Sequence, residues 1–334
     1  MDVSDSLSAE DLHRQAVVVD AHCDTVQLFN GINKSYHFGQ RNQVGHLDLP
    51  RLREGGVKIQ FFALFLEPEY KACAALERTL TLMEHFLYEM GKHPESVAVI
   101  QSWPDLAAAL AKDKLGAILA LEGAEALANV EILHILYRLG LRSVGLTWNA
   151  RNMLADGVGA GRNPGGLTEL GREMVREMNR LGILVDAAHL APRGFYDLLT
   201  ETSLPIIVTH ANAAGVCSHK RNLSDEQLRL LRDNDGVVGL TYYPPFVAHS
   251  ATCGIEELLD HFCYIADRFG INILGLGSDY DGISTVVNGL NDVSRLPRLT
   301  EALLQRGFSP EEVKQILGEN FLRVIKTTLE QGGR

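Results

Sequence analysis

The sequence predicts a (β/α)8 barrel, an α/β fold of the TIM type, and three observations lead there. Eight short, β-rich apolar runs recur along the chain, at 17–21, 57–66, 116–121, 141–147, 183–188, 205–209, 237–241 and 273–278. They read as near-continuous hydrophobic segments without polar alternation, the pattern of parallel strands buried on both faces. Helical patterns lie between them, and no glycine-rich phosphate loop follows the first run, so a closed barrel is favoured over a doubly wound sheet. A length of 334 residues, 46% apolar and 22% charged, suits one large barrel with ample core. One domain over residues 1–334 is expected.

Taken in order, the chain opens on an acidic, serine-rich stretch, 1–10, without the basic start and apolar region of a signal peptide. No apolar run reaches membrane-spanning length, so the expected location is the cytoplasm. The β-branched run of Val17, Val18 and Val19 then leads into Asp20, His22 and Asp24. Residues 25–56, with Gly31, Gly39 and Gly45, have no strong periodicity and are expected to form an extended loop over the exit of the first strand. Helical spacing fills 70–91, 130–139, 194–202, 224–233, 255–269 and 310–317. It is plainest at 167–181, where Leu167, Leu170, Met174, Val175, Met178 and Leu181 recur at steps of three and four residues. Gly182 follows, where a helix end favours glycine. The last two helical stretches, 310–317 and 319–329, are expected to close the outside of the barrel, and the parallel connections are expected to be right-handed.

Charge and cysteine content narrow the function classes. A formal net charge of −11, with no basic stripe, argues against nucleic acid as a partner. The five cysteines, Cys23, Cys73, Cys217, Cys253 and Cys263, are odd in number and widely spaced, which points to a reducing compartment and away from a disulfide framework.

The informative pattern stands at the carboxyl ends of the predicted strands. His22 and Asp24 follow the first, Glu122 the third, His189 the fifth, His210 the sixth, and Asp279 with Asp281 the eighth. Singly, each has a bland explanation as a hydrogen-bonded histidine or a turn acid. In a barrel, however, those ends converge on one face, where the chemistry of the fold is found. His22 and Asp24 share a face of the strand, and imidazole with carboxylate suits a cation such as zinc. With His189 and His210 as a second pair and Glu122 between the two, the set describes a dinuclear site with open positions for water and substrate. Asp279, not needed as a ligand, is then free to accept a hydrogen bond from a hydroxide shared by the metals and to carry its proton to the leaving group. Tyr242, just past the seventh strand, is a further candidate for the pocket lining, with rim packing as its plainer explanation.

Together these residues resemble a known family. The stretches Asp20-Ala21-His22-Cys23-Asp24, Leu121-Glu122-Gly123, Asp186-Ala187-Ala188-His189, Val208-Thr209-His210, Lys220-Arg221-Asn222 and Gly277-Ser278-Asp279-Tyr280-Asp281-Gly282 are similar, in order and spacing, to the membrane (renal) dipeptidase family of metallopeptidases, within the amidohydrolase-like barrels. The segment from Asp48 to Val57 resembles it as well.

The resemblance implies a barrel holding two zinc ions per chain, one on His22 and Asp24, the other on His189 and His210, bridged by Glu122. It implies Asp279 as the acid/base group, and Arg221 as the guanidinium that pairs with the free carboxylate of a dipeptide substrate. A homodimer is an expectation from the resemblance alone. The chain departs from the family where a histidine often helps to polarise the substrate carbonyl. Here the stretch is Leu146-Thr147-Trp148-Asn149, so that duty is expected to pass to the metals or to Asn149, with Trp148 offering only its indole N–H. Gly123-Ala124-Glu125 likewise replaces a Gly-Gly-His stretch. The function expected is therefore a zinc-dependent dipeptidase. Hydrolysis of an N-acyl amino acid, lactam or lactone on the same metals is the alternative. A non-catalytic metal- or peptide-binding barrel is a third, and it would have no use for Asp279 beside an open site.

Overall fold

The computed structural model of the chain describes residues 8–29, 36–70, 73–250 and 253–332. Its strands are β1 (Val18–Asp20), β2 (Val57–Phe65), β3 (Val97–Val99), β4 (Leu115–Glu122), β5 (Leu141–Gly145), β6 (Leu184–Asp186), β7 (Ile207–Val208), β8 (Val237–Leu240) and β9 (Leu274–Leu276). All pair in parallel in the order β2-β1-β9-β8-β7-β6-β5-β4, and a direct β2–β4 pairing closes the ring into an eight-stranded barrel. The ninth strand, β3, pairs only with the first residues of β4. Its apolar run, Val97 to Ile100 between Ser96 and Gln101, is shorter than any of the eight that predict strands, so it does not stand out in the sequence.

Alternation along the strands divides the apolar side chains into two layers. Val19 and Ala21 of the first strand segment, Ile59 and Phe61 of β2, Ile118 of β4 and Val237 of β8 belong to one buried cluster. Their neighbours Val18, Phe62, Leu64, Leu119 and Val238 belong to another, packed under the surrounding helices. The first cluster also contains Phe321, Val324, Ile325 and Leu329 from the C-terminal helix Asn320–Gln331. Phe321 meets Phe61 with ring centroids 6.3 Å apart. It lies so close to β9 that a Cβ on Gly275 would stand 2.4 Å from its ring, so only glycine fits there. The C-terminal helix therefore seals the barrel floor, at the amino ends of the strands. This corrects the expectation that it closes the outside: its apolar stripe continues the interior layer rather than the outer one.

Several helices owe their boundaries to local capping. Thr168 accepts from Gly171 N at the start of Glu169–Leu181, and the helix ends on Gly182 in the left-handed conformation, φ 71°. Ser224 and Gln227 form a reciprocal capping box before Asp225–Asp233. The expected loop 25–56 is only partly irregular. It carries a 3-10 turn at Thr25–Leu28 and a helix at Leu49–Glu54, capped by Asp48, whose other oxygen pairs with Arg51 Nε at 2.9 Å. Gly31 lies outside the described residues. Helices Ala9–Gln15, Trp103–Ala111 and Leu296–Arg306 were not foreseen, and the helix expected from residue 70 runs as Cys73–Gly91. Ala9–Gln15 and Leu49–Glu54, at seven and six residues, complete fewer than two turns, too few for a spacing pattern to stand out. No helix among the described residues is long and apolar enough to cross a membrane.

Removing the floor residue Phe321 should leave a cavity and lost contacts. Phe321→Ala is expected to cost about 3–5 kcal/mol, read as a lower denaturation midpoint with an unchanged m-value, and a loss below 1 kcal/mol would contradict its place in the interior layer.

Candidate active site

The register of the barrel brings the strand ends level. Phe65 pairs with Glu122, Glu122 with Gly145, and Gly145 with Asp186. The side chains at and beyond those ends open on a cavity of about 660 Å³, lined by Asp24, Glu122, His189, His210, Arg221 and Asp279, with Phe65, Trp148, Asn149 and Phe246 among the remaining walls. His22 lies beneath it, 2% exposed.

Glu122 is the centre of the group. Its Oε2 lies 3.5 Å from His22 Nε2, while its Oε1 lies 3.0 Å from His189 Nε2 and 3.6 Å from His210 Nε2. His22 Nε2 is also 3.3 Å from Asp24 Oδ2 and 4.0 Å from Asp279 Oδ1. His189 and His210 face each other with Nε2 atoms 2.9 Å apart. Two trios have ligand atoms within 4.8 Å of one another: His22, Glu122 and His210, and His22, Asp24 and Asp279. Asp279 thus stands beside the first pair, near enough to reach a group bound there.

These residues fit divalent cations. Three buried carboxylates, Asp24, Glu122 and Asp279, share a space where His22 and Arg221 are the positive partners. His22 Nε2 and Asp24 Oδ1 are buried without a hydrogen-bond partner among the described residues, a costly state that ligation would relieve. The electrostatics are those of a crowded, buried site. Burial works against the charge of Glu122, but His22 and His189 hold its carboxyl well below the usual range. Burial, with the neighbouring charge of Glu122, pushes Asp24 up to about 7. Burial also pushes Asp279 well up, with His22 and Arg221 opposing and Asp24 and Glu122 reinforcing. His22 is raised well above an ordinary imidazole, since Glu122 and Asp24 outweigh its burial. Burial, with Arg221 nearby, lowers His189 to about 4, and burial with His22 takes His210 well down, so both present neutral rings.

A layer that sequence reading missed sets which nitrogen each ring offers. Asp186 accepts from the N–H groups of Ala188 and Thr209, each at 2.9 Å, and from Thr209 Oγ1 at 2.6 Å. The Thr209 hydroxyl, its proton committed to Asp186, is left to accept from His210 Nδ1 at 3.0 Å, with His22 Nδ1 at 3.4 Å. Asn149 Oδ1 does the same for His189 Nδ1 at 3.0 Å. In the neutral rings of His189 and His210 the Nδ1 so engaged keeps its proton and leaves Nε2, on the Glu122 side, with a lone pair available to a cation. Asn149 therefore supports a ring nitrogen through the oxygen that its expected carbonyl-polarising role would leave idle. A buried acid two or three residues ahead of a candidate histidine was the available signal, in the stretch from Asp186 to His189.

The backbone is strained at the same place. His189, Asp279 and Asp281 have φ of 66°, 66° and 67°, the left-handed region that non-glycine residues rarely occupy. Asp281 is pinned by Thr25 Oγ1 and His46 N, each at 2.6 Å, so the loop carrying Asp279 is tied to the loop after β1. Arg221 is 5% exposed. Its Nη2 donates to His210 O at 3.1 Å, its Nε has no partner among the described residues, and burial lowers it to about 10. Trp148 forms a wall edge-on to Phe65, with centroids 5.3 Å apart. Tyr242 does not line the cavity. It is fully buried against Tyr280 and continues the outward series of Val238 and Leu240, so by strand alternation it is Tyr243 that faces the cavity.

Comparison with known proteins identifies the family. The family model described as Membrane dipeptidase (Peptidase family M19) matches residues 7–332. A metallo peptidase from Rhodobacter sphaeroides, solved with a phosphinate mimic of the dipeptide L-Ala-D-Ala, superposes with a TM-score of 0.88 at 31% identity, covering 94% of this chain and 99% of that one. An uncharacterized dipeptidase of Schizosaccharomyces pombe is 32% identical over 94% of this chain and 81% of its own length. Dipeptidase tcpJ of Claviceps purpurea is 31% identical over 86% of this chain and 70% of its own. The chain belongs to the membrane dipeptidase family, peptidase family M19, and is a metallo-dipeptidase built on a (β/α)8 barrel.

Proposed function

We propose that this metallo-dipeptidase hydrolyses the peptide bond of free dipeptides at two zinc ions, one held by His22 and Asp24, the other by His189 and His210, with Glu122 offering one oxygen to each. The observation that carries the reading is the division of Glu122, Oε2 toward His22 and Oε1 toward His189 and His210, on the cavity that Arg221 and Asp279 also line. Such a zinc pair, when bound, would lower the pKa of the attacking water toward neutrality and would act as a Lewis acid on the scissile carbonyl.

The chain's own residues would do the rest. Arg221 has its charge buried and its Nε unpartnered, so a substrate carboxylate docking there gains a charge-assisted pair without first breaking one. That selects a dipeptide with a free C-terminus and seats its peptide bond over Glu122. Asp279 reaches the space between Asp24 and His22 and takes the proton released by the attacking water, then delivers it to the departing amine. Gly282 lets the loop close on these acids, since a Cβ there would lie 2.1 Å from Asp24 Oδ2 and 2.7 Å from Asp279 Oδ1.

The direct test is hydrolysis of free dipeptides beside their N-acylated and C-amidated forms, on chelator-treated protein before and after zinc is restored. Zinc-dependent cleavage confined to free dipeptides is expected, whereas cleavage of N-acylated substrates alone would replace this reading with N-acyl amino acid hydrolysis.

Three variants check the roles. Asp279→Asn should lower kcat by about 10²–10⁴-fold while zinc content by metal analysis stays at two per chain, and a near-native rate would remove it from proton transfer. Arg221→Met should weaken kcat/KM for free dipeptides by about ten- to a hundredfold, corresponding to roughly 1.5–3 kcal/mol for a charged hydrogen bond, chiefly through KM. Thr209→Val should weaken zinc affinity by about 10–100-fold in competition with a chelator, through the ring nitrogens it orients.

A further inference from the structure

Beside the substrate cavity lies a second, mainly apolar cavity of about 290 Å³, walled by Leu66, Pro68, Tyr70 and Met153, with Arg151 and Asn152 also lining it. Two residues, Glu67 and Trp148, line both. They are held differently. Glu67 is clamped by Arg78, Nε to Oε2 at 3.1 Å and Nη2 to Oε1 at 2.6 Å. Trp148 is kept in place by ring contacts, edge-on to Phe65 at 5.3 Å and tilted to His189 at 5.9 Å. The removable part of the partition is therefore the indole.

We infer that Trp148 is a specificity-determining residue: it separates the substrate cavity from an apolar side cavity, and its bulk limits the side chain that the N-terminal residue of a dipeptide can bring. The assignment to the N-terminal residue follows from the ring of strands and rests on Arg221 holding the carboxylate. In the closed order, β2 and β7 stand four places apart by either route, on opposite sides of the barrel. Arg221 comes from the segment after β7. The side cavity is built from residues 66–70 after β2, Glu125 after β4 and residues 148–153 after β5. A dipeptide with its carboxylate on Arg221 and its peptide bond over Glu122 thus points its N-terminal residue toward Trp148. Met153, 53% exposed, lines the side cavity and not the substrate cavity, so the space can be filled from there without touching the metal ligands.

The test is steady-state kinetics of the zinc-loaded full chain on two dipeptide series. One varies the N-terminal residue through alanine, leucine and tryptophan before a fixed alanine, and the other reverses the order. Trp148→Ala is expected to raise the kcat/KM ratio of tryptophan over alanine at the N-terminal position by about tenfold or more, mainly through KM, and to leave the reversed series within about threefold. Trp148→Leu, a milder change, should move the ratio the same way by less. Adding Met153→Trp to Trp148→Ala should return the ratio toward the native value, because the merged space is refilled. A uniform fall across all substrates, a shift confined to the reversed series, or a gain that Met153→Trp does not reverse would each overturn the inference. Failure of the underlying orientation is separable: there, Arg221→Met would leave KM for free dipeptides unchanged, whereas failure of the partition alone would leave the Arg221 effect intact and the Trp148 ratios unmoved.

Discussion

The interaction on which the rest depends is the contact of one buried carboxylate, Glu122, with three imidazole nitrogens at the end of an apolar barrel. Charge in such a place is costly unless paired, and each residue near it is arranged to meet that cost. His22 takes the positive charge that Glu122 and Asp24 favour. His189 and His210 stay neutral and turn their lone pairs inward. Arg221 supplies a fixed cation from the opposite wall without pairing directly to any of the acids, which leaves it free for an anion from outside.

Orientation comes from a second set of buried acids. Asp186 works through Thr209 on His210, with His22 close by, while Asp20 accepts from Ser278 N at 2.8 Å and Ser278 Oγ at 2.7 Å, fastening β1 to the strand that leads to Asp279. Neither acid faces the cavity. Their effect is to remove rotational freedom from the rings and loops that do, so that little ordering is left to occur when ligands bind. The left-handed backbone at His189 and Asp279 belongs to the same economy: local strain is held in place by a rigid barrel beneath it.

The barrel separates stability from chemistry by its two ends. At the amino ends Phe321 and its helix complete an apolar layer, with Gly275 leaving room for the ring. At the carboxyl ends the layer stops and polar groups begin. The loops differ in how firmly they are tied. Asp281 is held by Thr25 and His46 and Glu67 by Arg78, whereas Trp148 is held by ring packing. Variation in substrate size is most easily accommodated where the ties are weakest.

Much of this was legible in the sequence. Strands buried on both faces must be apolar throughout, so the eight runs declared a parallel barrel, and one periodic stretch, read over 167–181 and observed as Glu169–Leu181, declared its own end at Gly182. The positions of His22, Asp24, Glu122, His189, His210 and Asp279 at strand ends followed from the same pattern, because a parallel barrel has only one face where all those ends meet. Leu49–Glu54 stayed hidden because it completes fewer than two turns, and β3 because its apolar run, Val97 to Ile100, is shorter than those of the barrel strands. What only the tertiary structure decided depends on register and on contacts between distant segments. It includes which Glu122 oxygen faces which ring, that Thr209 sets a tautomer through Asp186, that Tyr243 rather than Tyr242 reaches the cavity, and that the C-terminal helix plugs the floor. A one-residue shift reverses which way a strand side chain points, and nothing in linear spacing records which residues from opposite ends of the chain will touch.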